Sequence, residues 1–311
     1  MVSSASRRRT KLLTAYISLI RPHHWVKNLF VLLPVPFALA AGVDLDEWPF
    51  IQGLLAFSLV NSAVYAFNDV IDRERDRCHP GKKNRPVAAG QISTRSALVT
   101  SFALILMAAL LLMAALPTSN AGLNGRVLAI PSVYLLLNLI YSLWGRDVPV
   151  VDVLLLAAFF FLRILYGCAL LGVPPSERLL VGGTGIALLL ALGKRRGELR
   201  LDLAIRFRES LNWYTEKGMD RTIKALSFAV MLFYTEYCWH SSICQGESSI
   251  YQEERWWWSL PPMYGGVLYY LQRILVANDQ RSPVELVLRS HWIQFLLICW
   301  AILTWLSLGS G

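Results

Sequence analysis

Residues 50–76 read FIQGLLAFSLVNSAVYAFNDVIDRERD, an apolar run that ends in Asn68-Asp69-Val70-Ile71-Asp72-Arg73-Glu74-Arg75-Asp76. At 1.5 Å per helical residue the run is long enough to cross a hydrocarbon core of about 30 Å. Asp69, Asp72 and Asp76 stand at i, i+3 and i+7, so a continuing helix would carry three carboxylates on one face at its end. Such acids repel one another unless a cation sits among them. A Mg²⁺ held by a few carboxylates and completed by substrate phosphates meets that need. Lys82, Lys83 and Arg85 follow shortly after, and carboxylate–metal chemistry beside a basic arm describes a diphosphate clamp. The plainer reading is a solvated helix end neutralised by Arg73 and Arg75. The junction of Asn68 with the apolar span weighs against it.

The remainder of the 311 residues agrees with a membrane setting. Hydrophobic residues make up 55% and charged residues 16%, with a mean hydropathy of +0.45. Soluble domains carry about 25% charged residues. A soluble enzyme, a secreted disulfide scaffold and a disordered chain are thereby excluded. Nine apolar stretches are drawn as spans, at residues 27–42, 50–70, 97–116, 126–143, 150–172, 178–193, 222–240, 256–271 and 291–308. Several are interrupted by Pro34, Gly182-Gly183 or Pro261-Pro262, which a membrane tolerates where neighbouring helices or a cavity satisfy the backbone. The expected fold is all-α, a polytopic membrane bundle of about nine transmembrane helices. Residues 1–26 form a cytoplasmic or interfacial segment and 27–311 a single transmembrane catalytic domain.

Net charge is +9, and its placement decides orientation. With the N-terminus inside, most of the 30 Lys and Arg residues fall in inner loops, while Asp44, Asp46, Glu47, Glu177, Glu247, Glu253 and Glu254 fall outside. This satisfies the positive-inside rule without invoking nucleic acid. Trp256-Trp257-Trp258 suits an outer aromatic belt. The five cysteines show no C-x-x-C spacing, and Cys238 and Cys244 are read as unrelated thiols, with a pair outside the membrane as the alternative. Gly182-Gly183-Thr184-Gly185 has no preceding strand and reads as close helix packing. Arg163 lies about 16 Å along its helix from Asp152 and on the same face. An intramembrane Arg costs at least ~2.5–3.5 kcal/mol and marks a functional site by default. A structural pair with Asn138 or Glu236 is the competing account.

The motif N-D-x-x-D-x-x-x-D followed by H-P-G-K-K-N-R-P-V-A-A-G resembles the UbiA-type superfamily of intramembrane prenyltransferases. Three further segments resemble its decaprenyl-phosphate phosphoribosyltransferase branch. They are Arg21-Pro22-His23-His24-Trp25-Val26-Lys27-Asn28, the stretch from Tyr141 to Asp152, and Gly193-Lys194-Arg195-Arg196-Gly197-Glu198-Leu199. Members that prenylate aromatic rings usually carry a second Asp-rich motif after the sixth span. That place here is cationic, with Glu198 and Asp202 as its acids. The branch often has Lys where this chain has Arg146, which keeps the charge but changes its geometry.

The resemblance implies a transferase that moves 5-phosphoribose from phosphoribosyl diphosphate to a polyprenyl phosphate and releases diphosphate. It implies Mg²⁺ on Asp69, Asp72 and Asp76, with Asp152 as a further catalytic carboxylate. Lys82, Lys83 and Arg85 would assist the diphosphate, while Lys27, Arg146, Lys194 and Arg195 would hold the remaining phosphates. Tyr141 with Asp152 would position the sugar or a metal-bound water, and Asn68, Arg163 and Glu198 complete the substrate-binding set. The expected location is a bacterial inner membrane with the site facing the cytoplasm, and a homo-oligomer is allowed. The product would lead toward a lipid-linked D-arabinose donor for an exported glycan or signal molecule. Alternatives are a prenyltransferase using a prenyl diphosphate, and a lipid or solute transporter.

Overall fold

The computed structural model describes residues 4–79, 81–115, 121–200, 209–243, 255, 257–277, 279 and 281–308. Cys244, Asp202, Trp256, Glu247, Glu253 and Glu254 lie outside the described residues. Every regular element described is helical. In chain order these are α1 (Ser4–Ile20), a 3₁₀ segment (Pro22–Asn28), α2 (Leu29–Leu32), α3 (Val35–Ala40), α4 (Glu47–Ile71), α5 (Arg73–Cys78) and α6 (Thr94–Ala115). There follow α7 (Ala121–Leu143), a 3₁₀ turn (Gly145–Asp147), α8 (Val151–Leu171), α9 (Glu177–Leu199), a 3₁₀ turn (Glu209–Trp213), α10 (Glu216–Ile243), α11 (Leu260–Leu271), a π-helical turn (Gln272–Val276), α12 (Pro283–Arg289) and α13 (His291–Ser307).

The described part of each of the nine apolar stretches contains a helix or a run of short helices. Four described helices (α4, α6, the Gly125–Leu143 part of α7, and α8) are long and apolar enough to cross a bilayer on their own. A fifth is reached if α12 and α13, bent by 86° at their junction, count as one broken span. The shortfall from nine has local causes. Pro34 separates α2 from α3, since proline offers no N–H and clashes with the preceding turn. Helix α9 runs past its apolar part into Lys194, Arg195 and Arg196. Helix α10 includes Lys224 and Glu236.

The chain forms two compact units, Met1–Leu29 with Asp46–Gly145, and Phe30–Leu45 with Arg146–Gly311. In the first, α4 is the central helix and packs most extensively on α6. Ala56, Phe57, Ala63 and Ala66 of α4 are fully buried, whereas Phe102, Leu110 and Met113 of α6 are exposed. Apolar side chains left outside a helix pair suit lipid, where they cost nothing. Helix α1 turns Ala15 and Leu19 into a small core with Ala66, Val87, Ile92 and Ala97, and leaves Leu12, Leu13 and Ile17 exposed.

In the second unit α8 packs on α9 and α9 on α10. Small residues set these distances, as the glycine-rich stretch suggested. A Cβ on Gly183 would stand 2.3 Å from Ile164 Cδ1 of α8, and one on Gly185 would stand 2.9 Å from Val230 Cγ2 of α10. Leu189, Ile223, Met263, Val267, Tyr270 and Ile274 form the core of this unit. Cys238 is buried.

Candidate active site

The acid end of α4 is built by three neighbouring segments of the first unit. The helix does not run on unbroken. Asp72 sits at the junction, with φ −84° and ψ 0°, before α5 resumes at Arg73. The backbone still donates from Asp72 to Asn68 and from Asp76 to Asp72, so Asp69 and Asp76 stay on one side. Both are almost wholly buried, whereas Asp72 is half-buried.

The cation among these acids is arginine. Arg85 Nη1 lies 2.6 Å from Asp76 Oδ2 and 3.4 Å from Asp69 Oδ1. The Arg21 guanidinium pairs with the same Asp69 oxygen. Arg21 is itself held in the left-handed region, at φ 49°, between α1 and the 3₁₀ segment. Burial lowers its pKa, with Arg85 adding to that effect and Asp69 opposing it. The 3₁₀ segment then follows α4 in register. Lys27 Nζ donates to the Tyr65 hydroxyl at 3.0 Å, Trp25 Nε1 to Ser62 Oγ at 2.9 Å and Asn28 Nδ2 to Ser58 Oγ at 2.8 Å. Positions 58, 62, 65 and 69 share one face of α4. The Asn68 side-chain oxygen accepts from Ser142 Oγ at 2.6 Å, tying α4 to the end of α7 beside half-buried Tyr141. Lys82 is half-buried and Lys83 exposed.

Among the described residues no three His, Cys, Asp or Glu side chains converge closely enough to hold a metal. Two carboxylates do converge, on Arg85, and Asp69 Oδ2 is buried without a hydrogen-bond partner. That donor set fits Mg²⁺, which binds through one or two carboxylates and fills its octahedron with water and substrate phosphates.

The basic end of α9 belongs to the second unit. Arg195 is wholly buried. Its Nε lies 2.7 Å from Asp152 Oδ2, and its Nη1 pairs with Glu198. Asp152 Oδ1 accepts from the Tyr214 hydroxyl at 2.9 Å, and Ser210 Oγ lies 3.3 Å from Asp152 Oδ2. The Tyr214 oxygen in turn accepts from the Val150 N–H at 2.7 Å. Val150 precedes α8 at φ 68°, an unusual value for a β-branched residue. Burial pushes the Tyr214 phenol up to about 12, so it remains a donor at physiological pH. Arg146 Nε stands 3.7 Å from Asp147, and Lys194 is half-buried. Arg196, adjacent to Arg195, bonds Asp220 and the Ile274 carbonyl, each at 2.6 Å.

Arg163 is buried halfway along α8. Its Nη1 donates to the Phe159 carbonyl at 2.6 Å, and its guanidinium lies over the Phe160 ring. Of the two partners weighed for it, Asn138 bonds the Tyr134 carbonyl, and Glu236 lies 3.9 Å from Arg178. The structure therefore gathers Asp69, Asp76 and Arg85 in one unit, and Asp152, Arg195 and Glu198 in the other. Arg21, Ser210 and Tyr214 escaped the sequence reading as site residues. Arg21 was visible in a motif but had no assigned partner, and Ser210 and Tyr214 lie in a stretch with no periodic signal.

Known proteins are similar to this chain over most of its length. A decaprenyl-phosphate phosphoribosyltransferase from Mycolicibacterium smegmatis is 26% identical over 297 residues, covering 93% of this chain and 91% of that protein. The nodulation protein NoeC of Azorhizobium caulinodans is 30% identical over 278 residues, covering 86% of this chain and 84% of its own. Among solved structures, a UbiA homolog from Archaeoglobus fulgidus, bound to GPP and Mg²⁺, superposes with a TM-score of 0.69 at 17% identity, covering 94% and 97% of the two chains. The model of the UbiA prenyltransferase family matches residues 28–193. With its apolar helices and the acid cluster closing α4, the chain belongs to the UbiA prenyltransferase family and is a multi-pass membrane transferase.

Proposed function

We propose that the protein transfers 5-phosphoribose from phosphoribosyl diphosphate to a polyprenyl phosphate. The observation that carries this reading is the state of the acids near the end of α9. Asp152 and Glu198 are both engaged by Arg195, whose side chain is wholly buried where that of Arg85 is 24% exposed, so these two acids are committed to an internal cation rather than offered as a second pair of metal-binding carboxylates. The near full-length similarity to a decaprenyl-phosphate phosphoribosyltransferase supports the same assignment.

Asp69 and Asp76 receive the diphosphate end of the donor, with Asp72 beside them. These two carboxylates would hold a Mg²⁺, which would supply positive charge for the departing diphosphate. Arg85, Lys82 and Lys83 hold its oxygens, and Arg21 keeps the Asp69 carboxylate in place. Lys194, Arg195, Arg146 and Lys27 bind the 5-phosphate and the acceptor phosphate. Tyr141 and Asn68 line the sugar. Asp152 holds Arg195 in position, and Arg163 places a buried positive charge along α8. The acceptor phosphate is already an anion, so the chain needs no strong base. Its task is to steady charge on the leaving group and to keep two anions in line.

We place the site on the cytoplasmic face of a bacterial inner membrane, in a bundle of nine spans with the N-terminus inside. The product would feed a lipid-linked D-arabinose donor. The test supplies membranes containing the protein with labelled phosphoribosyl diphosphate and polyprenyl phosphate. Label entering the organic phase only with both Mg²⁺ and acceptor supports the assignment. Label that stays in water, while a labelled prenyl diphosphate is consumed, overturns it in favour of prenyl transfer.

A further inference from the structure

Arg85 stands where two carboxylates would share a divalent cation. Its Nη1 reaches Asp76 at 2.6 Å and Asp69 at 3.4 Å. A guanidinium built for a permanent pair with one carboxylate engages it through two parallel N–H groups. Arg85 instead uses one nitrogen for both acids, and Asp69 Oδ2 is left buried and unbonded. The acids and the base also differ in access to solvent. Asp69 and Asp76 side chains are 1% and 4% exposed, Arg85 24%. The Arg85 backbone is fixed, its N–H bonding the Lys82 carbonyl and its carbonyl accepting from Ala89. Arg77 Nε adds a bond to the Ala88 carbonyl in the same turn. The loop is therefore anchored while the end of the Arg85 side chain borders water.

We infer that Arg85 is an internal counter-cation, a positioning residue that holds the Asp69–Asp76 pair together while diphosphate is absent and yields it to a divalent cation when diphosphate arrives. A guanidinium and a dication repel each other and do not share two carboxylates. A diphosphate brings the negative charge that lets both stay, the metal on the acids and the guanidinium turned onto phosphate oxygens. Metal binding and diphosphate binding are then coupled, each strengthening the other. Two buried acids are never left bare between turnovers, which would cost desolvation without compensation. The inference rests on the proposal that this cluster receives a diphosphate. It does not depend on which group the diphosphate carries.

The test is a Mn²⁺ titration of the full-length protein in detergent, without donor or acceptor, reading free Mn²⁺ by electron paramagnetic resonance. Arg85→Gln, which removes the competing charge, is expected to bind Mn²⁺ at least about tenfold more tightly than the parent, since one charge at this distance easily outweighs that factor. Arg85→Lys keeps the charge and is expected to stay within about threefold of the parent. The gain in Arg85→Gln must vanish when Asp76→Asn is added. Unchanged or weaker Mn²⁺ binding in folded Arg85→Gln overturns the inference. Should that variant not fold, Arg85→Met, which keeps the apolar stem and removes the charge, carries the test, with tighter binding expected and unchanged binding fatal. Because no donor is present, the outcome is independent of the labelled-substrate assay. That assay can fail while the exchange stands, and the reverse.

Discussion

Arg195 Nε lies 2.7 Å from Asp152 Oδ2, with both side chains withdrawn from solvent. The pair joins α9 to the start of α8, and the Tyr214 hydroxyl extends it to the chain just before α10. A buried ion pair contributes little net stability against an apolar replacement, but losing one partner strands a charge. Asp152→Asn leaves Arg195 facing Glu198 alone and is therefore expected to destabilise the protein by about 3 kcal/mol, the low end for breaking a buried pair. Tyr214→Phe leaves one acceptor and the Val150 N–H short of a bond and should cost about 1–3 kcal/mol. Thermal unfolding in detergent reads both. Equal losses in the two variants would show that the charge pair does not dominate this cluster.

The acids of the α4 end are not equivalent. Asp69 and Asp76 both meet Arg85, whereas Asp72 is half-buried at the helix junction. Asp69→Asn and Asp76→Asn should each lower Mg²⁺-dependent turnover by about 10²-fold or more, the scale on which a charge-stabilising group acts in a transition state. Asp72→Asn should lose less. Initial rates at saturating Mg²⁺ and donor decide it, and a ranking with Asp72 most severe would contradict the geometry.

Asp279 sits between two arginines, 2.5 Å from Arg281 Nη2 and 2.5 Å from Arg273 Nη2. Hydrogen bonds from Arg281 chiefly, with Arg273 adding to them, hold its pKa well below the usual carboxylate value. The folded state therefore favours the ionised form. The stabilisation is fully present above the unfolded carboxylate value of about 3.9 and fades as pH falls below it toward the depressed folded value. The melting midpoint of the parent should exceed that of Asp279→Asn by a constant margin between pH 5 and 7 and converge on it below about pH 4. A margin unchanged at acid pH would mean that the ion pairs do not stabilise the fold.

The contact between Gly193 and Tyr270 offers a steric test. Gly193→Ala would place a methyl 2.2 Å from the Tyr270 hydroxyl and 2.6 Å from Ile274 Cδ1, and overpacking of this kind costs about 1–3 kcal/mol. Tyr270→Phe removes the nearer of the two atoms, so the double variant should recover part of the loss. A strictly additive pair, measured by unfolding midpoints, would place the strain elsewhere.

The acid motif and the basic end of α9 were legible because the chemistry is written in adjacent residues. A run of Asp at helical spacing after an apolar span carries its own explanation. The partners were not legible. Arg195 meets Asp152 from another helix, and no periodicity links them. Arg85 was expected to attend a diphosphate rather than to lie between Asp69 and Asp76, since sequence shows that a basic arm follows but not where it folds back. The break at Asp72 has no glycine or proline to announce it. The interruption at Pro34 does, and the structure breaks the helix there. Hydropathy marks the apolar stretch 178–193 but does not show that α9 continues past it into Arg195 and Arg196.

The register of the 3₁₀ segment along α4 has a consequence for biosynthesis. Residues 21–28 leave the ribosome before α4 exists, yet Arg21, Trp25, Lys27 and Asn28 find their partners at Asp69, Ser62, Tyr65 and Ser58. Two cations, an indole and a carboxamide must therefore go without these partners until the later helix has been made. When it arrives, Arg21 meets Asp69 at the trailing end of that helix, so a nascent chain acquires its first buried charge pair as the second apolar segment comes to rest.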